Sequence, residues 1–264
     1  MSQVRAASTA ALRNSNASRY SEAEWQTRLD VAAAYRLVQH FGLSELIYNH
    51  ITARIPGSDH EYLINPYGHM YDEITASNLV KIDLEGNILE DTTSEINPAG
   101  YVIHSAIHGA RPEMQCVIHT HSHAGTVVSA LDEGLVPIAQ GGFMFYNRVA
   151  YHDYEGFALD EEEKKHLIAD LGDKNILILR NHGLLTLGHS VSQAFRRMIY
   201  LDQACKLQVS MLAGGRKPSL PPVEVMEHTA QQWDSGAAGI GTTQSREWPA
   251  LLRMLDRKDP SWRT

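Results

Sequence analysis

The sequence predicts an α/β protein, a single three-layer α/β/α sandwich around a mainly antiparallel sheet. Three observations carry this expectation. Trp25, Leu29, Ala33, Leu37 and Phe41 recur every four positions, the period of a helix that buries one face. From residue 51 the pattern changes to short β-branched runs broken by turn signals, as in strands joined by tight connections. Helical and strand-like segments then alternate to residue 213, and a sheet in such a chain must be covered by its helices.

The elements follow in order. Residues 1–20 hold Arg5, Arg13 and Arg19 among Ala, Ser and Asn, with no acid before Glu22. That superficially suits an organelle transit peptide and reads more simply as a disordered tail. Ser21 with Glu24 is a capping-box pattern that opens the first helix, and Gly42 closes it. Strands are expected at 51–55, 62–64 and 79–82, separated by Pro56-Gly57, Pro66-Tyr67-Gly68 and Glu85-Gly86-Asn87. Asn97-Pro98 opens a helix to about Ala110. Residues 116–119 read as a strand, 122–131 as a helix, and 136–138 and 149–151 as further strands.

Asp160 and the acids at 161–163 start a helix that ends near Gly172. The continuous apolar run at 175–179 suits a strand in a sheet interior. Ser190 with Gln193 caps a long helix ended by Gly214-Gly215. Residues 216–235, with Pro218, Pro221 and Pro222, are expected to leave the body as an extended arm, and 245–257 to form a short helix. The chain therefore divides into a tail (1–20), one domain (21–215) and a C-terminal part (216–264). That last part, with Trp233, Trp248 and Trp262, is expected to pack on a neighbouring subunit.

With 264 residues, 43% of them hydrophobic, there is ample material for a full core. A formal charge of -8 disfavours nucleic-acid partners, which call for a basic face. No run approaches the roughly 20 apolar residues that span a bilayer, and the N-terminus lacks the apolar stretch of a secretory signal. The expected setting is soluble, away from membranes, and cytoplasmic. Cys116 and Cys205 cannot build a disulfide framework, which fits a reducing compartment.

Fourteen histidines are the compositional excess. The run from Pro112 ends in His119-Thr120-His121. In extended chain these two histidines share a face about 7 Å apart at Cα, close enough to share a metal ion. The same spacing also suits two rings that satisfy loop backbone groups. A third histidine, His182, follows directly on the predicted interior strand and precedes Gly183, at a strand end where sites are commonly built.

Taken together, Asn49-His50-Ile51-Thr52-Ala53-Arg54, Asn65-Pro66-Tyr67-Gly68, the segment from His104 to His108, Arg111-Pro112, His119-Thr120-His121, Tyr151-His152-Asp153-Tyr154 and Arg180-Asn181-His182-Gly183 resemble the class II aldolase/adducin family. The resemblance runs from about residue 26 to residue 213. It implies an α/β/α sandwich around an antiparallel sheet, with one divalent metal ion (zinc, manganese or iron) bound by His119, His121 and His182. It also implies assembly into a homotetramer with sites at subunit boundaries.

The departures from the family pattern narrow the activity. Sugar-phosphate aldolases of the family place an acidic residue, both metal ligand and proton-transferring group, where this chain has Gly100. They place a phosphate-binding Ser-Ser pair where it has Pro98-Ala99. The dehydratase branch uses a glutamate in the segment that here reads Gln140-Gly141-Gly142, and no acid occurs between Glu133 and Asp153. The remaining likeness is to the adducin-like branch.

The expected function is therefore a divalent-metal-dependent lyase, by retro-aldol cleavage or decarboxylation, acting on an unphosphorylated small hydroxy- or keto-acid. The alternatives are a three-histidine non-haem iron oxygenase or oxidative decarboxylase, and a non-catalytic adducin-like interaction protein. Protons would have to come from outside the metal shell. Tyr146, His152 and His104 are the expected catalytic groups, with Tyr101, His108 and Asp153 as further candidates; His108, one helical turn after His104, reads more simply as core packing. His50, Tyr101 and Asn49 are expected to bind substrate.

Overall fold

The computed structural model describes residues 18–156, 161–236 and 246–264. Residues 1–17 of the expected tail, Asp160 and Ser245 lie outside the described residues. The first helix, α1 (Glu22–His40), starts as its capping residues dictate, with the Ser21 hydroxyl accepting from the Glu24 N–H. It buries Ala33 and Leu37, and Gly42 leaves it at a φ of 70°.

Three strands follow, β1 (His50–Arg54), β2 (Tyr62–Ile64) and β3 (Val80–Ile82), and then helix α2 (Pro98–Ala110). Strand β4 (Cys116–Thr120) leads into α3 (His123–Ser129) and a single turn, α4 (Gln140–Phe143). Next come β5 (Ala150–His152), α5 (Glu161–Leu171), β6 (Ile176–Leu179) and β7 (Gly183–Gly188). Helices α6 (Val191–Ala213), α7 (Val223–Asp234) and α8 (Glu247–Lys258) complete the chain.

The strands form one seven-stranded sheet in the order β3-β2-β1-β4-β7-β6-β5, antiparallel except for the parallel pair β5 and β6. Strand alternation divides the core. Cys116, Ile118, Ile176 and Ile178 pack with α1, α3 and α6, whereas Val117, Leu177 and Leu179 pack with α2 and α5. His119 follows Val117 onto the α2 side. Cross-strand pairing aligns His50 with His119 and Thr52 with Val117, so both β1 side chains face α2 as well.

Four elements differ from expectation, the unanticipated single turn α4 among them. Residues 136–138 are not a strand: Pro137 has no N–H to give a ladder, and the Val136 N–H donates instead to Gln208 Oε1. Strand β7 was not anticipated, because its apolar run follows β6 after a connection of only three residues, made possible by Asn181 at a φ of 55°. The segment 216–235 is not an extended arm. Its prolines precede a helix, α7, that buries Met226 and Ala230 and is tied to the body by Glu227 and Asp234 on Arg148.

The three C-terminal tryptophans are engaged within their own chain. Trp233 lies 5.3 Å from the Tyr200 ring centroid, Trp248 donates to Asp30 Oδ1, and Trp262 is 1% exposed with its carbonyl accepting from the Ala76 N–H.

Candidate metal centre

Three imidazoles converge at one end of the sheet. His119 is the penultimate residue of β4, His121 lies just past that strand, and His182 is in the short connection between β6 and β7. His119 Nε2 is 2.8 Å from His121 Nε2 and 3.2 Å from His182 Nε2. The edge of a zinc–imidazole tetrahedron is about 3.3 Å.

Their other nitrogens explain why Nε2 faces inward. The Leu184 carbonyl, on the neighbouring strand, is 3.0 Å from His119 Nδ1, and Glu45 Oε2 is 2.6 Å from His121 Nδ1. An acceptor on Nδ1 fixes the proton there and leaves the Nε2 lone pair free for a cation. Burial holds His119 well below the usual histidine range, and burial together with nearby His121 pushes His182 down to about 4. Three imidazoles in this arrangement fit a borderline divalent ion.

Glu45 is the participant that sequence reasoning missed, since no motif surrounds it. Its turn is unusual: Leu46 and Asn49 both have positive φ, at 49° and 72°, and Asn49 Oδ1 accepts from the Glu45 N–H. Asn49, expected to bind substrate, thus shapes the turn that presents Glu45 to His121.

His50 is the fourth imidazole of the cluster. Its ring centroid is 5.6 Å from that of His119 and 4.3 Å from that of His104. It is buried, neither ring nitrogen has a hydrogen-bond partner, and burial pushes it down to about 4. A β-carbon on Gly100 would lie 2.2 Å from His50 Cε1. The ring therefore fills the space that a side chain at position 100 would need.

The other candidate residues divide. His104 is buried behind His50, with Nδ1 2.6 Å from Thr52 Oγ1, and His108 Nε2 is 2.8 Å from the same hydroxyl. His152, on β5, is held by Asp170 Oδ2 at 2.8 Å from Nδ1, and its Nε2 is buried without a partner. Tyr101, one residue past Gly100 and so turned about 100° around the helix, donates to the Asp83 carbonyl and packs on Gly86, away from the imidazoles. Tyr146 lies beyond α4, in a segment tied to α7 through Arg148. Asp153 is exposed at a surface depression beside Arg180 and Asn181.

A convergent imidazole cluster at the end of a three-layer α/β/α sandwich defines an aldolase-like protein with a candidate metal site. The profile of the class II aldolase and adducin N-terminal domain matches residues 29–209, and the chain belongs to this family. It is 48% identical over 243 residues to a Caulobacter vibrioides protein that bears a provisional aldolase class 2 name, covering 92% of this chain and 93% of that one. It is 42% identical over 257 residues to rat alpha-adducin, covering 93% of this chain and 35% of the adducin.

Among solved structures, an aldolase II superfamily protein from Pseudomonas syringae superposes with a TM-score of 0.88 at 48% identity, covering 94% of this chain and 98% of that one. The L-fuculose 1-phosphate aldolase of Glaciozyma antarctica superposes with a TM-score of 0.80 at 28% identity, covering 92% and 93%. Class II aldolases use a divalent metal ion, and a histidine cluster suited to one is present here.

Proposed function

We propose that this protein is a divalent-metal-dependent carbon–carbon lyase that cleaves or decarboxylates an unphosphorylated small hydroxy- or keto-acid. The observation that carries the reading is the convergence of the His119, His121 and His182 Nε2 atoms. These residues would hold one ion of zinc, manganese or iron per subunit. When bound, the ion supplies a Lewis acid that stabilises negative charge on a substrate oxygen.

The remaining work falls to the chain's own groups. Glu45 orients His121, and His50 offers an unpartnered ring nitrogen to the substrate as a hydrogen-bond partner. His104 acts from behind His50. His152, oriented by Asp170, is the candidate for proton transfer. Tyr101 is held by the Asp83 carbonyl, and Tyr146 stays a second candidate for proton transfer. The choice of an unphosphorylated substrate rests on Gly100, Pro98 and Ala99, and on the His50 ring in the space beside Gly100.

A second reading, an iron-dependent oxygenase or oxidative decarboxylase, is favoured by one feature: the clustered donors are all imidazoles, with no carboxylate among them in the described residues. The likeness to alpha-adducin supports a third, non-catalytic reading, against which three imidazoles gathered at one point argue.

Assembly into a homotetramer is also proposed. Leu46 and Tyr48, 65% and 45% exposed beside Glu45, form an apolar rim that a neighbouring subunit would cover. No helix among the described residues is long and apolar enough to cross a membrane, and both cysteines are free and buried; a cytoplasmic location is proposed with them.

The deciding experiment incubates protein loaded with zinc, manganese or iron with a panel of hydroxy- and keto-acids, monitoring carbonyl products, carbon dioxide and oxygen uptake. Products without oxygen uptake are expected. Oxygen uptake by the iron form would favour the second reading, and protein that takes up no metal and turns nothing over would favour the third.

A further inference from the structure

Behind His50 runs a chain of buried polar atoms. His104 and His108, one turn apart on α2, reach the same hydroxyl, with Thr52 Oγ1 2.6 Å from His104 Nδ1 and 2.8 Å from His108 Nε2. All three side chains are buried, and the outward nitrogens His104 Nε2 and His108 Nδ1 have no hydrogen-bond partner. The His50 ring lies at the open end of this chain, between His104 and His119.

A threonine hydroxyl carries one proton. If both imidazoles donated to it, the hydroxyl proton would be buried unpaired; if both accepted, one contact would lack a proton. One ring must therefore donate and the other accept. When His104 Nδ1–H donates to Oγ1, the hydroxyl donates to His108 Nε2 and the His108 proton resides on Nδ1. Reversing the direction puts both ring protons on Nε2. In either case the two rings carry the same tautomer. Burial keeps both rings neutral, His104 well below the usual histidine range and His108 down to about 3.

The shared tautomer fixes the outward edge of the chain: His104 Nε2 is a bare acceptor in the first case and an N–H donor in the second.

We propose that Thr52 is a positioning residue: its single hydroxyl proton locks His104 and His108 into one shared tautomer, so that the ring behind His50 presents a single fixed edge at the wall of the candidate metal centre. The bearing of that edge on catalysis rests on the proposed function; the tautomer lock does not.

Neutron diffraction from crystals of the full-length, perdeuterated, zinc-treated protein tests this directly, compared with Thr52→Ser and Thr52→Val. Deuterium is expected on the same nitrogen, Nδ1 or Nε2, of both His104 and His108 in the wild type and in the Ser variant. In the Val variant the deuterium on His104 should be split between its two nitrogens. Unlike tautomers on His104 and His108 in the wild type, or a His104 pattern unchanged by Val, would overturn the proposal. If the Val variant does not fold, His108→Gln takes its place: it removes the far ring and should scramble His104, while an unchanged pattern counts against the lock. Zinc occupancy in the same crystals is read independently, so loss of the metal would count against the proposed function and leave the tautomer result intact.

Discussion

The imidazole of His50 and the α-carbon of Gly100 share one site, with Cε1 2.2 Å from where a β-carbon at position 100 would stand. The ring cannot swing aside freely, because His104 and His119 flank it. Gly100→Ala is therefore expected to destabilise the protein by about 1–3 kcal/mol, the cost of overpacking. In a His50→Ala background most of that cost should vanish. A double-mutant cycle from urea unfolding reads the coupling, and additive effects would show that the two residues do not compete for space.

Glu45 is expected to tune metal affinity through His121. Glu45→Gln should weaken zinc binding about 10- to 100-fold, the usual effect of losing a carboxylate behind a ligating histidine, and should leave the circular dichroism spectrum unchanged. Competition with a chromogenic chelator measures this. Equal affinities would mean that Glu45 is a surface acid that happens to lie near the ring.

Much of this architecture was legible in the sequence. His119 and His121 announce themselves by strand periodicity, and the cap at Ser21 and the helix break at Gly42 follow from local chemistry. Glu45 was not legible, because its role depends on a turn with two non-glycine residues at positive φ, which no local pattern signals. The pairing of His50 with Gly100 was hidden because it joins a strand to a helix across the sheet surface. Helix α7 was obscured by its prolines and by Val223 and Val225, which are exposed and blur its periodicity.

Stability should fall with acid in a way that depends on His108. Burial lowers this group from 6.5 to about 3, so below pH 6.5 the unfolded chain binds a proton that the folded one does not. The contribution is complete above pH 6.5 and is lost as pH falls toward 3, by at most about 1.4 kcal/mol per pH unit. Urea midpoints for the wild type and His108→Asn between pH 7.5 and 5 should therefore converge as pH falls. Parallel curves would show that His108 takes up its proton equally well in both states.

Phosphorylated ketoses are expected to be poor substrates despite the structural likeness to an L-fuculose 1-phosphate aldolase. Gly100 supplies no carboxylate, and His50 occupies the adjoining space. A coupled assay with fuculose and rhamnulose 1-phosphates should detect negligible cleavage. Turnover on the order of 1 per second or faster would refute the assignment.

The central claim is that His119, His121 and His182 hold one metal ion, and elemental analysis of the purified protein beside its His121→Ala variant tests it most directly. The account predicts about one equivalent of a divalent transition metal per chain in the wild type and its loss in a variant that remains folded by circular dichroism. Equal metal content in the two proteins, or no metal retained by the wild type after incubation with zinc, manganese or iron, would contradict it.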